Sequence, residues 1–157
     1  MIHNTKYRNA DLGMFVQNFA QWHDDRNLVN GATAKNQCKK LTEEFIEIYA
    51  AVHCDLDKDE LVHHLIASIY ELDMNGRIKA CKPEHSVEEL VDGIGDFNVV
   101  AVNLLERENR TLLQCFKSAW GEIWNRGGKM IDGVWVKESD LKRQGMSIKR
   151  PVSVKHK

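Results

Sequence analysis

Apolar positions recur at helical spacing over most of the chain, and the pattern predicts four or five helices joined by short loops. The first runs from about Asp11 to His23, with Leu12, Phe15, Phe19 and Trp22 on one face, and the stretch NLVNGAT breaks it. The second spans roughly Thr33 to His53, and its core stripe is Cys38, Leu41, Phe45, Ile48 and Val52. A third extends from about Asp57 to Asp73 with Leu61, Leu65, Ile69 and Leu72 inward, stopping at Asn75-Gly76, a helix-ending pair. After the loop RIKACKPEH, Ser86 opens a fourth helix with Glu89 as its capping-box partner, and the pattern continues to Leu105. The fifth, Thr111 to about Asn125, turns Leu112, Phe116, Ala119, Trp120 and Ile123 inward. Beyond Gly127-Gly128 the period changes: in KMIDGVWVK, Asp132-Gly133 between apolar pairs signals a two-residue hairpin. The expected fold is an all-α bundle of four to five helices with a small C-terminal β-hairpin.

The chain has 157 residues, enough for one domain with its own core, and no repeat or Pro/Gly/Ser linker divides it. The net charge of −1 gives no general attraction to nucleic acid, so none is expected as a partner. Basic residues gather near the end (Lys142, Arg143, Lys149, Arg150, Lys155, Lys157), and residues 142–157 read as a solvated tail. Cys38, Cys54, Cys81 and Cys115 form no C-x-x-C pair and read as reduced thiols. No apolar run reaches the roughly 18 residues of a membrane span, and MIHNTKYRNA lacks the apolar stretch of a signal peptide. The expected location is cytosolic, without a membrane.

Sorting residues by helical face singles out two sets of acids. With the second helix's core stripe inward, Gln37, Lys40, Glu44, Glu47 and Ala51 form a flanking stripe, whereas Glu43 points nearly opposite the core. On the fourth helix, Glu89, Asp92, Asp96 and Asn103 fall within about 40° of one line, and Leu90, Ile94, Phe97, Ala101 and Leu104 form the opposing face. Gly93 and Gly95, which cost about 1 kcal/mol each in a helix, sit beside Asp96 and point to a close approach by another helix or a ligand. If the two stripes meet, four carboxylates share one place and need a cation, and an all-oxygen set is the preference of Mg²⁺ or Mn²⁺. Such a cation would polarise a phosphoryl group and activate a water. The alternative is a pair of solvated acidic faces.

These residues resemble the signature of the MazG-like nucleoside triphosphate pyrophosphohydrolases, a superfamily with the dimeric dUTPases and phosphoribosyl-ATP pyrophosphohydrolases. Its pattern is E-E-x-x-E on one helix and E-x-x-D on a later one. Glu43-Glu44-Phe45-Ile46-Glu47 supplies the first part, preceded by Gln37-x-x-Lys40, and Gly95-Asp96 in IGDFNVVAVNLL, followed by Asn103, matches the second. The family's Glu would fall at position 93, which is Gly93 here, with Asp92 one residue earlier and Glu89 nearby. CFKSAWGEIWNRGGKMIDGVWVKESDL is similar to the C-terminal segment of phage and bacterial members, so the likeness covers about residues 12 to 141.

The resemblance implies hydrolysis of a (d)NTP to (d)NMP and pyrophosphate for nucleotide-pool control, in a homodimer or homotetramer. It places Mg²⁺, or Mn²⁺, on Glu44, Glu47, Asp92 and Asp96, with Glu44, Glu47 and Lys40 in the chemistry. Gln37, Lys40, Asn103, Arg126 and Lys129 would contact substrate, the cations offsetting triphosphate charge. Gly127-Gly128 would admit backbone N–H groups to a phosphate, or else form a plain helix end with basic residues at the negative dipole. Trp22 and Asn30 are further candidates for the base pocket, although a Trp on an apolar stripe is more often a core residue. Two other readings stand beside this one. Glu60-Leu-Val-His63 prompts a di-iron bundle, although that fold needs a second such pair. A catalytically silent helical regulator or assembly protein would keep the fold without the Glu at position 93.

Overall fold

The computed structural model describes residues 9–146, with side chains from residue 12. Among them it has helices α1 (Asn9–Asp25), α2 (Leu28–Gly31), α3 (Ala34–Val52), α4 (Lys58–Met74), α5 (Ser86–Arg107), α6 (Leu112–Ile123) and α7 (Glu138–Arg143). Strands β1 (Gly128–Ile131) and β2 (Val134–Lys137) lie between α6 and α7, so the fold is mostly helical with one small antiparallel hairpin. No described helix is long and apolar enough to cross a membrane. Of the expected basic tail, Lys142 and Arg143 belong to α7 and pair with Glu138 and Asp140. The residues after 146 lie outside the described residues.

Local chemistry sets the helix ends. Asp57 caps α4 by accepting from the backbone N–H groups of Asp59 and Glu60, both at 2.9 Å, and the Glu60 carboxylate returns to Asp57 N at 3.0 Å. Glu60, on which a di-iron reading would rest, is therefore a capping residue, and the His63 ring contacts its own helix at the Asp59 carbonyl. Gly76, at φ +65°, ends α4, and Arg77 N donates back to Leu72 O. Thr111 and Gln114 form the equivalent box at the start of α6. The expected box of Ser86 with Glu89 is absent. Ser86 has helical φ/ψ because a 3-10 turn at Pro83–His85, entered from extended Lys82, starts the helix before it.

The described residues gather into two units, one of 9–37 with 102–146, the other Cys38–Ala101. In the first, α1 packs on α6. Phe19 meets Phe116 and Trp120 edge-on at 5.3 and 5.9 Å, while Phe15 and Trp22 are buried. The most buried α6 residue is Leu113, and Ala119 of the expected stripe is exposed, because seating Phe116 and Trp120 on Phe19 rotates the inward face toward Leu113. Trp22 Nε1 donates to Ile123 O at 2.7 Å, so α1 supplies a partner to the last carbonyl of α6, and Arg26, just after α1, lies over the Trp22 ring and donates to Arg126 O in the turn that follows α6. Burial lowers the Arg26 pKa from its usual value, and the Asp25 carboxylate opposes the shift.

The hairpin has the expected two-residue turn. Asp132 and Gly133 both have positive φ, as a type I′ turn requires, which pairs Ile131 with Val134 and Gly128 with Lys137. Asn36 at the start of α3 donates to Gly133 O, and Trp135 packs edge-on against Trp22. Leu141 of α7, a helix too short to show a period in sequence, is 1% exposed beside the strands.

The unit Cys38–Ala101 differs sharply. Tyr49 of α3 hydrogen-bonds His64 Nδ1 (2.7 Å) and Ser68 Oγ (3.0 Å) of α4, and the His53 ring lies tilted against both Tyr49 and His64, with centroids 4.4 and 4.7 Å away. Yet no residue in this unit is buried, and every residue from Glu71 to Val100 is exposed. The expected core stripes of α3 (Cys38, Leu41, Phe45, Ile48, Val52) and α5 (Leu90, Ile94, Phe97) are uncovered. An apolar stripe specifies that a face needs a partner, and not which chain supplies it.

Candidate functional site

The two acid-bearing helices form as the spacing requires. Glu44 and Glu47 lie three residues apart on α3, and Asp92 and Asp96 four apart on α5, so each pair shares a helix face; all four are exposed. Lys40, one turn before Glu44, is held by Glu43, with Nζ 2.5 Å from Oε2 and both side chains about half exposed. Glu43 is thus exposed, as its helical face predicts, and pairs with Lys40 at the surface. An open hollow against the first turns of α5 is lined by Val87, Glu88, Glu89, Val91 and Asp92.

Among the described residues, no three His, Cys, Asp or Glu side chains meet as a group able to hold a metal ion. Glu44, Glu47, Asp92 and Asp96 are therefore not gathered into one cluster by a single chain. Their donor chemistry, carboxylate throughout, suits Mg²⁺ and Mn²⁺; their position within one chain does not. The glycines beside Asp96 give the same picture, since a Cβ added at Gly93 or Gly95 would meet nothing within 4 Å. No close approach among the described residues accounts for them.

The proposed substrate contacts divide between the two units, Lys40 in one and Gln37, Asn103, Arg126 and Lys129 in the other. Gln37 is exposed, Asn103 accepts from Arg107 Nε, and Arg126 lies 3.6 Å from Glu122. Lys129 is exposed on β1 opposite Val136. The Gly127-Gly128 pair serves packing. A Cβ on Gly127 would collide with the Glu138 carboxylate, and one on Gly128 would lie 2.5 Å from Val136 O and 2.6 Å from the Trp135 ring. A carboxylate in the space beside Gly127 opposes an anion entering there. Trp22 is core, with ring and Nε1 both engaged, whereas Asn30 is exposed. All four cysteines are free, and three of them are exposed.

Sequence reading missed the Tyr49, His53, His64 and Ser68 group. The signal was present in Tyr49 and His53, one turn apart on α3, but only the pairing of α3 with α4 gives Tyr49 its partners.

No family model matches the chain, and no solved structure matches it. Over 43 residues it is 46% identical to an uncharacterized 18.2 kDa protein from the rep-hol intergenic region of Haemophilus phage HP1. The match spans 27% of this chain and 26% of that protein, so the chain covers about a quarter of that relative's length.

Proposed function

We propose that this chain is a Mg²⁺-dependent nucleoside triphosphate pyrophosphohydrolase of the MazG-like kind, converting a (d)NTP to (d)NMP and pyrophosphate, with Mn²⁺ able to replace Mg²⁺. The observation that carries the reading is the acid pattern: Glu43-Glu44-x-x-Glu47 and Asp92…Gly95-Asp96 lie on uninterrupted helices within one helical unit, with Lys40 a turn ahead of Glu44. Glu44, Glu47, Asp92 and Asp96 supply carboxylate oxygens, and the divalent cation they hold supplies charge neutralisation and an activated water. Lys40 offsets triphosphate charge, and Gln37, Asn103, Arg126 and Lys129 are the further substrate contacts of the reading. Because one chain does not gather the four acids, the reading includes a homodimer or homotetramer in which they are brought together. The phage relative supports a viral setting, in which the enzyme works on nucleotide pools in the host cytoplasm.

The test is pyrophosphate release from a panel of NTPs and dNTPs, with and without Mg²⁺, for the wild type, Glu44→Gln and Asp96→Asn. Metal-dependent release by the wild type alone supports the proposal, and no release from any substrate refutes it. The second reading, a helical regulator or assembly protein without catalysis, is favoured by Gly93 standing where the family pattern has Glu. It predicts that silent result together with an intact fold.

A further inference from the structure

Tyr49, His53, His64 and Ser68 form a polar group between α3 and α4 that the proposed chemistry does not use. Ser68 Oγ donates to His64 O at 3.0 Å, a carbonyl of its own helix one turn back, and so places its single proton there. Toward Tyr49 it can then only accept, which makes the Tyr49 hydroxyl the donor of the 3.0 Å bond between them. The Tyr49 oxygen in turn accepts from His64 Nδ1, 2.7 Å away. This chain of bonds fixes the neutral His64 ring in one tautomer, with the proton on Nδ1 and the lone pair on Nε2.

Among the described residues, neither His64 Nε2 nor either ring nitrogen of His53 has a hydrogen-bond partner. His64 is exposed and His53 half-buried. A metal-ligating histidine is oriented in this same way, by donating its other ring N–H to a fixed oxygen.

The spacing of the two rings fits one shared ion. At a metal–nitrogen distance of about 2.0–2.1 Å an imidazole centre lies roughly 3.2 Å from the metal, so two imidazoles on one ion at about 90–109° have centres about 4.5–5.2 Å apart. The His53 and His64 centres are 4.7 Å apart, with 58° between the ring planes. Ring packing alone also permits that distance, and the fixed tautomer is what adds a ligand to it.

We propose that His53 and His64 Nε2 bind one divalent transition ion of the Zn²⁺ class, with Tyr49 as the positioning residue that holds the His64 tautomer. Two protein ligands leave the remaining positions to water, in keeping with the absence, among the described residues, of any group of three metal-binding side chains. Imidazole nitrogen suits Zn²⁺, Ni²⁺ and Cu²⁺, and Mg²⁺ prefers oxygen, so the site is distinct from the carboxylates of the proposed function and neither depends on the other. The ion joins His53, just after α3, to α4 in a unit with no buried residue, and so stabilises that helix pair.

The experiment is calorimetric titration of the untagged full chain with Zn²⁺ in excess Mg²⁺, which occupies carboxylate sites, together with thermal melting by circular dichroism with and without Zn²⁺. We expect one Zn²⁺ per chain and a Tm raised by Zn²⁺. His53→Ala and His64→Ala each weaken binding about tenfold or more and remove the Tm shift, and Tyr49→Phe weakens binding about tenfold through lost orientation of His64. His63→Ala leaves binding unchanged, because that ring is engaged with the Asp59 carbonyl of its own helix. Absence of Zn²⁺ binding overturns the proposal, as does wild-type affinity in either His variant or in Tyr49→Phe, or an equal loss in His63→Ala. Where a variant loses its helix signal, Cu²⁺ electron paramagnetic resonance on the wild-type chain decides instead: coupling to two imidazole nitrogens supports the site, and coupling to one or none overturns it.

Discussion

Replacing Gly128 with Ala tests whether the two glycines after α6 serve the fold or a ligand. A Cβ there would sit 2.5 Å from Val136 O and 2.6 Å from the Trp135 ring, both inside the 3.0 Å that real Cβ contacts respect. Neither neighbour is the free end of a flexible side chain. Val136 O belongs to the strand paired with β1, and the Trp135 ring is set against Trp22, whose own Nε1 is bound to Ile123 O. Relief therefore requires separating the strands or pushing Trp135 into the α1–α6 core. Overpacking of this kind costs about 1–3 kcal/mol, and with backbone on one side we expect the upper half of that range, a Tm lower by roughly 5–10 °C. Gly127→Ala is milder, because its clash is with the end of the Glu138 side chain, and Glu138→Ala in the same chain relieves it. Gly13→Ala in α1 and Gly121→Ala in α6, where a Cβ meets nothing within 4 Å, should each stabilise by about 0.5–1 kcal/mol. Thermal unfolding followed by circular dichroism and tryptophan fluorescence reads all five variants without nucleotide. A Gly128→Ala protein that melts with the wild type but loses nucleotide turnover would refute the packing argument and return the glycine to a phosphate.

Four further outcomes are expected. Trp22→Phe removes the bond to Ile123 O and costs about 1–2 kcal/mol in denaturant unfolding with KM unchanged; a raised KM at unchanged stability would make Trp22 part of a base pocket. Thr111→Ala, which removes a buried cap, lowers stability by about 1–2 kcal/mol, and a neutral result would show that the capping box contributes nothing. Glu47→Gln or Asp96→Asn abolishes turnover with unchanged circular dichroism, whereas Glu43→Gln, which frees Lys40 from an exposed ion pair, leaves stability unchanged and turnover within a few-fold; an equal loss in Glu43→Gln would make Glu43 a metal ligand. Gly93→Ala and Gly95→Ala raise the helicity of α5 and weaken self-association, and retention of wild-type association would detach these glycines from any contact with a second copy.

What could be read from sequence depended on whether a feature was local. The hairpin register follows from Asp132-Gly133, the end of α4 from Asn75-Gly76, and the α1 core from the period of Phe15, Phe19 and Trp22, each fixed by a few neighbouring residues. Ser86 misled because Pro83 had already begun a 3-10 turn, so the residue with the better capping side chain was no longer at the helix start. Leu113 and Leu141 were missed because their burial is decided by Phe19 and by the hairpin, far away in the chain. For the candidate site, residue types and helix faces were legible, and the meeting of those faces was not, since spacing along one helix contains no term for the distance to another.

That division explains why α5 is the informative element of this chain. Val87, Leu90, Val91 and Ile94 gain nothing from a solvent-exposed helix, Gly93 and Gly95 cost about 1 kcal/mol each against Ala, and Asp92 and Asp96 add like charges one turn apart. Each choice opposes the isolated helix, and within the described chain none is offset by a buried contact. Local preferences agree with the observed structure in α1, α6 and the hairpin and conflict with it in the unit Cys38–Ala101, most of all along α5, where apolar stripe, glycines and acids coincide. Under the proposed function one assembly would answer all three: cover for the apolar stripe, close approach at the glycines, and shared cations for the acids.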